Sequence, residues 1–463
     1  MSTALVGMLA YVLVQFAIGA YVSRRMQSEQ DYIVAGRSLG TGLVAFSVFA
    51  TWFGAEAIVA SSGEIYDKGL TGALTDPFGY GGAVIIVGLL LAARLWNGQL
   101  TTFADAFRKR YSPSVEKLFV IMLLPGSLLW AGAQIRAFGQ IMSASSSLSL
   151  TTAIVLAAVL VAAYSVVGGL LADAITDVVQ GIAVIVGLIV LTALVANQVG
   201  GVTAGLARVA PDRLSFTSGF DGIESFEKLA IVVCGSIVAV ELASRFLGAR
   251  SAAAARNGTL IGGLMYLALG LMPIFLGLTG KTLLPDVGEA EQIVPKLAEV
   301  YLPAWSYALF AGALISAILS VVHAALHAPA AQVSHNIIVR IRPKMTEHSR
   351  LRSVRLTVLA LSLFAFVLAL SVERIKDLVE LASAFGSAGV FVTTLFALFT
   401  RIGGPKAAAS AMLTGMLVWM LGRFALHLAA PYLTAMVLSA IVYVAVAYVE
   451  QRDTAGAAAV KSS

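Results

Sequence analysis

Apolar segments long enough to cross a bilayer alternate with short polar connections along almost the whole chain. Roughly twenty apolar residues span a membrane as one helix, and about thirteen such spans can be placed along the chain. One segment, 39–66, is longer than a single crossing requires and carries Gly54 and Glu56 near its middle. Non-helical backbone at membrane depth is tolerated where it lines a cavity or is packed by protein. The pattern predicts an all-α integral membrane protein of about thirteen transmembrane helices, with one helix interrupted beside a cavity at Glu56.

The composition excludes a water-soluble globular protein. Apolar residues make up 59% of the 463 residues and charged residues only 12%, against about 45–50% and 25% in soluble domains. Cys234 is the only cysteine, so neither an internal disulfide nor a cysteine-based metal site is expected. Against this background Glu56 stands out, because an ionisable side chain at bilayer depth is costly and marks a substrate or ion site.

Basic residues predict the orientation in the membrane. Most of the 31 Lys and Arg residues fall in one alternate set of connections, which includes 23–38, 94–117 and 340–355. Positively charged connections face the cytoplasm, so the N-terminus is predicted outside and the C-terminus inside. The net charge of +6 follows from this topology and predicts no nucleic-acid partner. The short loops favour a multi-pass protein of a bacterial inner cell membrane.

Short motifs in and beside the connections carry a family resemblance. They run in order over nearly the whole chain: Gly36 to Gly40, Tyr164 to Leu170, Thr176 to Gln180, Gly235 to Ser251, and Phe396 to Trp419. Together they resemble the sodium:solute symporter family. The segments Ala50 to Gly54 and Asp76 to Gly79 are most similar to its choline-transporter-like branch.

The resemblance implies a LeuT-like fold, in which two inverted repeats of five helices form the core. An extra N-terminal helix and a cytoplasmic loop are then expected in 1–38, the repeats in 39–197 and 226–399, and further helices with a short tail in 400–463. It also implies a secondary active transporter that moves a small organic solute, such as an amine or amino acid, into the cell. Symport with Na⁺ or H⁺ would drive this uptake, and no cofactor is expected.

The family's sodium ion lies between the first and eighth core helices, bound by backbone carbonyls and hydroxyls. The resemblance places carbonyl ligands on Ala50, Phe53 and Ala317 and a hydroxyl ligand on Ser320. The second hydroxyl position is Val321, which has no side-chain oxygen. Because a hard cation is held by oxygen ligands, this departure weakens the expected sodium site.

His323 follows two positions later, and the fifth core helix, which in the family passes close by, carries Asp177. Histidine titrates near neutral pH, and an Asp–His pair within a membrane can relay a proton. One hypothesis is that Asp177 and His323 carry a coupling proton in place of sodium or beside it. The alternative is that His323 packs in the core, while Ser320 and the carbonyls hold sodium.

Aromatic and acidic side chains near the break predict a substrate site. Trp52 and Glu56 lie at the break, and Trp130 and Gln134 lie one turn apart in the third span. Aromatic faces and a carboxylate together favour an organic cation. The alternatives are that Trp130 only packs the bundle and that Glu56 only binds nearby backbone. Arg136, if it faced the cavity, would favour an acid or a zwitterion instead.

Glu241 and Arg245 lie four residues apart near the cytoplasmic end of the sixth core helix. This spacing predicts a pair on one helix face, either an inner gate that breaks as the cavity opens inward or a static i,i+4 pair.

The chain shows none of the usual catalytic motifs, since a nucleophile elbow, a metal quartet and a phosphate loop are all missing from the sequence. An enzyme is therefore not expected, and the alternative to a transporter is a transporter-like membrane sensor. The expected partners are a small-molecule solute and the lipid bilayer, with the chain a monomer or a weak homo-oligomer. The sequence does not identify the substrate.

Overall fold

The computed structural model describes residues 3–24, 26–54, 56–144, 148–217, 222–371 and 375–462. Within these ranges the regular elements are helices, and the β-type pairing is a single bridge between Leu39 and Ala249. The all-α prediction is therefore confirmed.

The first half of the chain forms the helices α1 (Thr3–Ser23), α2 (Glu29–Val34), α3 (Thr41–Trp52), α4 (Ser61–Lys68), α5 (Tyr80–Leu90), α6 (Ala92–Asn97), α7 (Ala104–Arg110), α8 (Pro113–Ala144), α9 (Leu150–Val167), α10 (Leu170–Gln198) and α11 (Val202–Ala207). The second half forms α12 (Gly222–Ile237), α13 (Val240–Leu247), α14 (Ala252–Leu283), α15 (Ile293–Tyr301), α16 (Ala304–Gln332), α17 (Glu347–Ser371), α18 (Ile375–Ala384), α19 (Ser387–Phe399), α20 (Pro405–Phe424) and α21 (Pro431–Ser462).

Ten helical stretches in the described part of the chain are long and apolar enough to cross a membrane. The apolar helices Leu13–Ser23, Thr41–Trp52 and Ser387–Phe399 are shorter than that length. The sequence pattern predicts about thirteen spans because it measures only the length of apolar segments. It does not show where a helix ends within such a segment. The difference at α3 has a clear cause, since this helix ends at Trp52 in the middle of its apolar segment.

Two apolar segments are interrupted in their middle. After α3 the chain turns at Phe53, and helical structure resumes at Glu56 in a short π-helix that leads into α4. Between α12 and α13 the helix opens again, where Ala239 adopts extended backbone angles. The interruption predicted near Gly54 is confirmed. Interrupted helices expose backbone groups that a continuous helix would use internally, which is why they accompany cavities in membrane proteins.

The helix α16 lies at the centre of the bundle and packs against α1, α8 and α10. Its side chains from Phe310 to Gln332 are all buried. The helix α14 packs closely on α3 and α5. Small residues allow this approach, because a Cβ on Gly258 would lie 2.6 Å from the side chain of Val44. The helix α3, which ends at the first interruption, is thereby held closely against α14.

Candidate functional site

A cavity with about 670 Å³ of empty volume lies where the two interrupted segments meet α8. Its polar and aromatic lining includes Trp52, Glu56, Tyr80, Trp130, Glu241 and Tyr266. The lining combines apolar side chains with a few convergent polar groups, as small-molecule sites do. The breaks create the site, because they bring Trp52 and Glu56 from one helix and Glu241 from the other to the same wall.

Glu56 is held by two aromatic donors. The Tyr80 hydroxyl donates to Oε1 at 3.0 Å, and Trp130 Nε1 donates to Oε2 at 3.3 Å. The Trp52 and Trp130 rings lie 5.6 Å apart between centroids and are tilted by 55°. The site therefore joins a carboxylate to several aromatic faces, the combination that attracts an organic cation.

Two further carboxylates lie close to this cavity, each held by a neutral hydroxyl. Ser127 donates to Glu241 Oε1 at 2.6 Å, and Tyr266 donates to Asp76 Oδ1 at 2.7 Å. Sequence reasoning missed Tyr80, Ser127, Asp76 and Tyr266 as site residues. Only Asp76 carried a signal, as an acid at the edge of an apolar segment.

Gln134 and Arg136 do not line the cavity. Gln134 is one turn beyond Trp130, about 6 Å along the helix axis, and is buried at 1% exposure outside the cavity wall. Arg136 donates from Nη1 to the backbone carbonyl of Ala369 at 3.0 Å. Gln134 is therefore absent from the lining of this cavity, and its contact with a substrate stays a prediction. Arg136 does not favour an acidic substrate, since it is engaged with α17.

The residues expected to hold sodium lie on α3, at its end, and on α16, two helices that contact each other. Ala50, Phe53 and Ala317 are all buried. Ser320 is buried too, but its hydroxyl donates to Asp177 Oδ1. Val321 packs against the break, because a Cβ on Gly54 would lie 2.7 Å from Val321 Cγ2.

Asp177 links α10 to both of these helices. Besides the bond from Ser320, its Oδ2 accepts a hydrogen bond from Ser47 on α3 at 2.7 Å. Asp177 thus lies beside the expected ion position and bridges α3, α10 and α16.

Arg245 forms its ion pair with acids of α10. Its Nη1 lies 2.5 Å from Asp173 Oδ2 and 3.9 Å from Asp177 Oδ2. Glu241 instead accepts from Ser127 in the cavity. The expected static Glu241–Arg245 pair is not among the ion pairs of the described residues, because tertiary packing offers Arg245 two acids on a neighbouring helix. A gating role of the two residues stays a prediction.

His323 is nearest to Asp173, with Nε2 at 3.9 Å from Oδ2. The sequence paired it with Asp177, whereas the structure brings Asp173, one turn earlier on α10, within 4 Å. The proton relay between Asp177 and His323 stays a prediction. The His323 ring stacks on His327 at 5.2 Å, and His327 Nε2 lies 2.9 Å from the Tyr32 carbonyl. A cluster of three or more metal-ligating side chains is not found among the described residues.

Comparisons with known proteins agree with this architecture. The profile of the sodium:solute symporter family matches residues 32–418. High-affinity choline transporter 1 of Caenorhabditis elegans is 24% identical over 400 residues, which are 80% of this chain and 68% of the relative. The sodium/pantothenate symporter of Escherichia coli (strain K12) is 24% identical over 431 residues, 88% of each chain.

The fold is shared with a solved transporter structure. The substrate-bound, outward-open state of a Na⁺-coupled sialic acid symporter superposes with a TM-score of 0.84, at 14% identity, over 97% of this chain and 98% of that chain. The architecture is thus that of LeuT-like symporters. Members of the matched family are multi-pass membrane transporters of small solutes rather than enzymes. From the extent of the profile match and the ordered motifs, the chain belongs to the sodium:solute symporter family.

Proposed function

We propose that the protein is an ion-coupled symporter that takes a small organic cation, an amine or a quaternary ammonium, into the cell. The observation that carries this proposal is the setting of Glu56, whose carboxylate accepts hydrogen bonds from Tyr80 and Trp130 at the wall of the cavity. An ammonium group beside this carboxylate gains both Coulombic attraction and cation–π contact with Trp52 and Trp130.

The charge of the site discriminates between the solutes of the two relatives. Choline is a cation, whereas pantothenate carries a carboxylate. Glu56 and Glu241 both line the cavity, and Asp76 accepts a hydrogen bond from Tyr266, another lining residue. A carboxylate solute would meet like charges in a poorly solvated space, which is strongly unfavourable. The acidic side chains of the lining therefore favour an organic cation over a carboxylate solute.

The coupling cation is proposed to be taken up at the cluster of Asp173, Asp177, Arg245 and His323. These four side chains are buried. With a neutral histidine, two carboxylates face one guanidinium, so the cluster lacks a single positive charge. Within a membrane protein such an imbalance is costly, and one monovalent cation removes it.

We propose that this cation is a proton. The Ser320 hydroxyl is already directed to Asp177, and Val321 offers no oxygen. A sodium ion needs several oxygen ligands, whereas a proton needs one carboxylate oxygen. Asp177 would accept it, because its carboxylate lies beside the expected ion position. Asp173 and His323 are the neighbouring groups of the cluster, with His323 Nε2 at 3.9 Å from Asp173 Oδ2, beyond hydrogen-bond distance. Sodium held by Ser320 and the carbonyls of Ala50, Phe53 and Ala317 is the alternative that the experiment separates.

Uptake would follow alternating access. The cation stabilises an outward-facing state, the solute fills the cavity at the breaks, and movement of one helix group against the other exposes both inward. Further proposals are two inverted repeats at 39–197 and 226–399, an outer N-terminus, an inner C-terminus, an inner-membrane location, and a monomer or weak homo-oligomer as the working unit.

The test is uptake into proteoliposomes from a panel of labelled solutes: a quaternary ammonium, a primary amine, an amino acid and a monocarboxylate. Each is offered under an imposed proton gradient or an imposed sodium gradient. We expect accumulation of the ammonium solutes with the proton gradient alone. Glu56→Gln should raise their KM at least about tenfold, which corresponds to ~1.4 kcal/mol.

The control is Glu289→Gln, because Glu289 is an exposed carboxylate in a connecting loop. It should transport like the unmodified protein. Accumulation of the monocarboxylate alone would refute the cation proposal, and accumulation with sodium alone would refute the proton. Absence of any accumulation would favour a membrane sensor.

A further inference from the structure

A second cavity adjoins the central one and shares Glu56, Tyr80 and Ser383 with it. It has about 780 Å³ of empty volume and extends along α4 towards the start of α12. Because Glu56 belongs to both cavities, a solute bound at its carboxylate could reach into the second cavity. This adjoining cavity is named here the acidic cavity.

The acidic cavity is lined by three carboxylates, Glu56, Glu64 and Asp76. The basic group in its lining is Lys228, whose side chain is exposed. Glu64 pairs with Lys68 at 2.8 Å across one turn of α4. The ion pairs of the described residues do not include Glu56 or Asp76. The lining of the acidic cavity therefore holds more acidic than basic side chains, and two of the acids, Glu56 and Asp76, lack a basic partner among the described residues.

Among the three carboxylates of the acidic cavity, Asp76 has an oxygen atom without a hydrogen-bond partner from the described residues. It is only 7% exposed, and its Oδ1 accepts from the Tyr266 hydroxyl at 2.7 Å. Its Oδ2 is buried and has no hydrogen-bond partner within the described part of the chain. A buried polar atom without a partner costs about 1–3 kcal/mol, and more when it is charged. A ligand that donates to Oδ2 would recover this free energy.

We propose that Asp76 forms a second cation-binding subsite, which receives a second ammonium group of the transported solute. The solute is then a dication, such as a linear alkyl diamine, with one nitrogen at Glu56 between the aromatic rings and the other at Asp76. An ammonium carries three N–H donors and no acceptor, which suits a carboxylate oxygen that lacks a donor. This inference rests on the proposed function and narrows its substrate class.

The experiment measures binding by isothermal titration calorimetry to the full-length protein in nanodiscs. The probes are butylammonium and a series of linear diamines from 1,3-diaminopropane to 1,6-diaminohexane. The best diamine should bind at least about tenfold more tightly than butylammonium. In Asp76→Asn this ratio should fall to less than about threefold.

Two further variants keep the test independent of folding defects. Asp76→Glu retains the charge on a longer side chain and should shift the preferred diamine to a shorter one. Asp67→Asn removes an exposed carboxylate from the same helix as Glu64 and should preserve the diamine preference. Thermal unfolding identifies any variant that is misfolded.

A diamine that binds the unmodified protein no better than butylammonium overturns the inference while the proposed function stands. Absence of binding by every ammonium probe overturns both. A third outcome would also overturn the inference and assign the subsite to an inorganic cation. In that outcome the unmodified protein shows no preference for diamines, and sodium chloride strengthens butylammonium binding to it but not to Asp76→Asn. Equal weakening of mono- and diamines in Asp76→Asn would also contradict the second subsite.

Discussion

Val321 shows how a single methyl group changes the chemistry expected at an ion position. It packs against the break, with Cγ2 at 2.7 Å from where a Cβ on Gly54 would lie. Threonine has nearly the same shape but carries a hydroxyl in place of one methyl group, so it would supply an oxygen ligand at this position. The residue therefore separates the two candidate coupling ions.

Val321→Thr is expected to introduce sodium stimulation of uptake, by at least about threefold, because the added hydroxyl completes an oxygen ligand set. Uptake of the labelled solute with and without sodium, at constant pH, measures this effect. Val322→Thr is the control, since Val322 is equally buried on the next position of α16. A response to sodium that is the same in both variants would argue against a specific role of Val321.

Residue spacing alone misjudged one contact at this scale. The i,i+4 spacing predicts that Glu241 faces Arg245, yet Arg245 pairs with Asp173 and Glu241 accepts from Ser127. An i,i+4 pair contributes only about 0.2–0.5 kcal/mol on an exposed helix. A partner on a neighbouring helix in a buried setting easily outweighs it, and the sequence does not show which helices are neighbours.

At the scale of elements, glycines decide how closely α14 can approach α3. A Cβ on Gly258 would lie 2.6 Å from Val44 Cβ and 3.0 Å from the Thr41 carbonyl, so the helices leave no room for a side chain. In a membrane, where lipid is as apolar as the helices, such close packing is a main source of association. Because α3 ends at the first interruption, the position of that interruption depends on the contact between α14 and α3.

Gly258→Ala should lower the free energy of unfolding by about 1–3 kcal/mol, because the added methyl group forces the two helices apart. Thermal unfolding of the purified protein measures the loss. Gly82→Ala on α5 is the matched control, since a Cβ there meets nothing within 4 Å. Equal stability of the two variants would show that the contact between α14 and α3 tolerates expansion.

At the scale of the whole molecule, the orientation of the protein in the membrane can be tested by cysteine labelling, because the chain has a single cysteine. Cys234 is buried in α12, so Cys234→Ser provides a background without reactive thiols. Thr217 and Lys344 are exposed in different connections. The positive-inside rule places residue 217 outside and residue 344 in the cytoplasm.

In that background, Thr217→Cys should react with a membrane-impermeant maleimide in intact cells, whereas Lys344→Cys should react only after permeabilisation. Reaction is followed by a mass shift of the purified protein. The opposite pattern would reverse the predicted orientation. Labelling of both in intact cells would point to damaged membranes, which a cytoplasmic marker protein detects.

Much of the architecture was accessible from the chain alone. The apolar periodicity predicted an all-helical protein, Gly54 beside Glu56 predicted the break, and the motifs predicted the family. For the site, the pattern pointed to Trp52, Glu56 and Trp130, which lie together on the cavity wall. It did not find Tyr80 or Asp76, because their approach to Glu56 depends on the packing of other helices.

By itself, the sequence determined the membrane setting, the helical class, the family and the acid at the interrupted helix. These follow from local properties: apolar length, the high cost of a charge in lipid, and ordered motifs. Tertiary structure alone decided the partners of each buried charge: Arg245 with Asp173, Asp177 between Ser47 and Ser320, and Asp76 with Tyr266. The physical reason is that a buried polar group takes whichever partner the fold brings within hydrogen-bond distance, and residues far apart in sequence supply it.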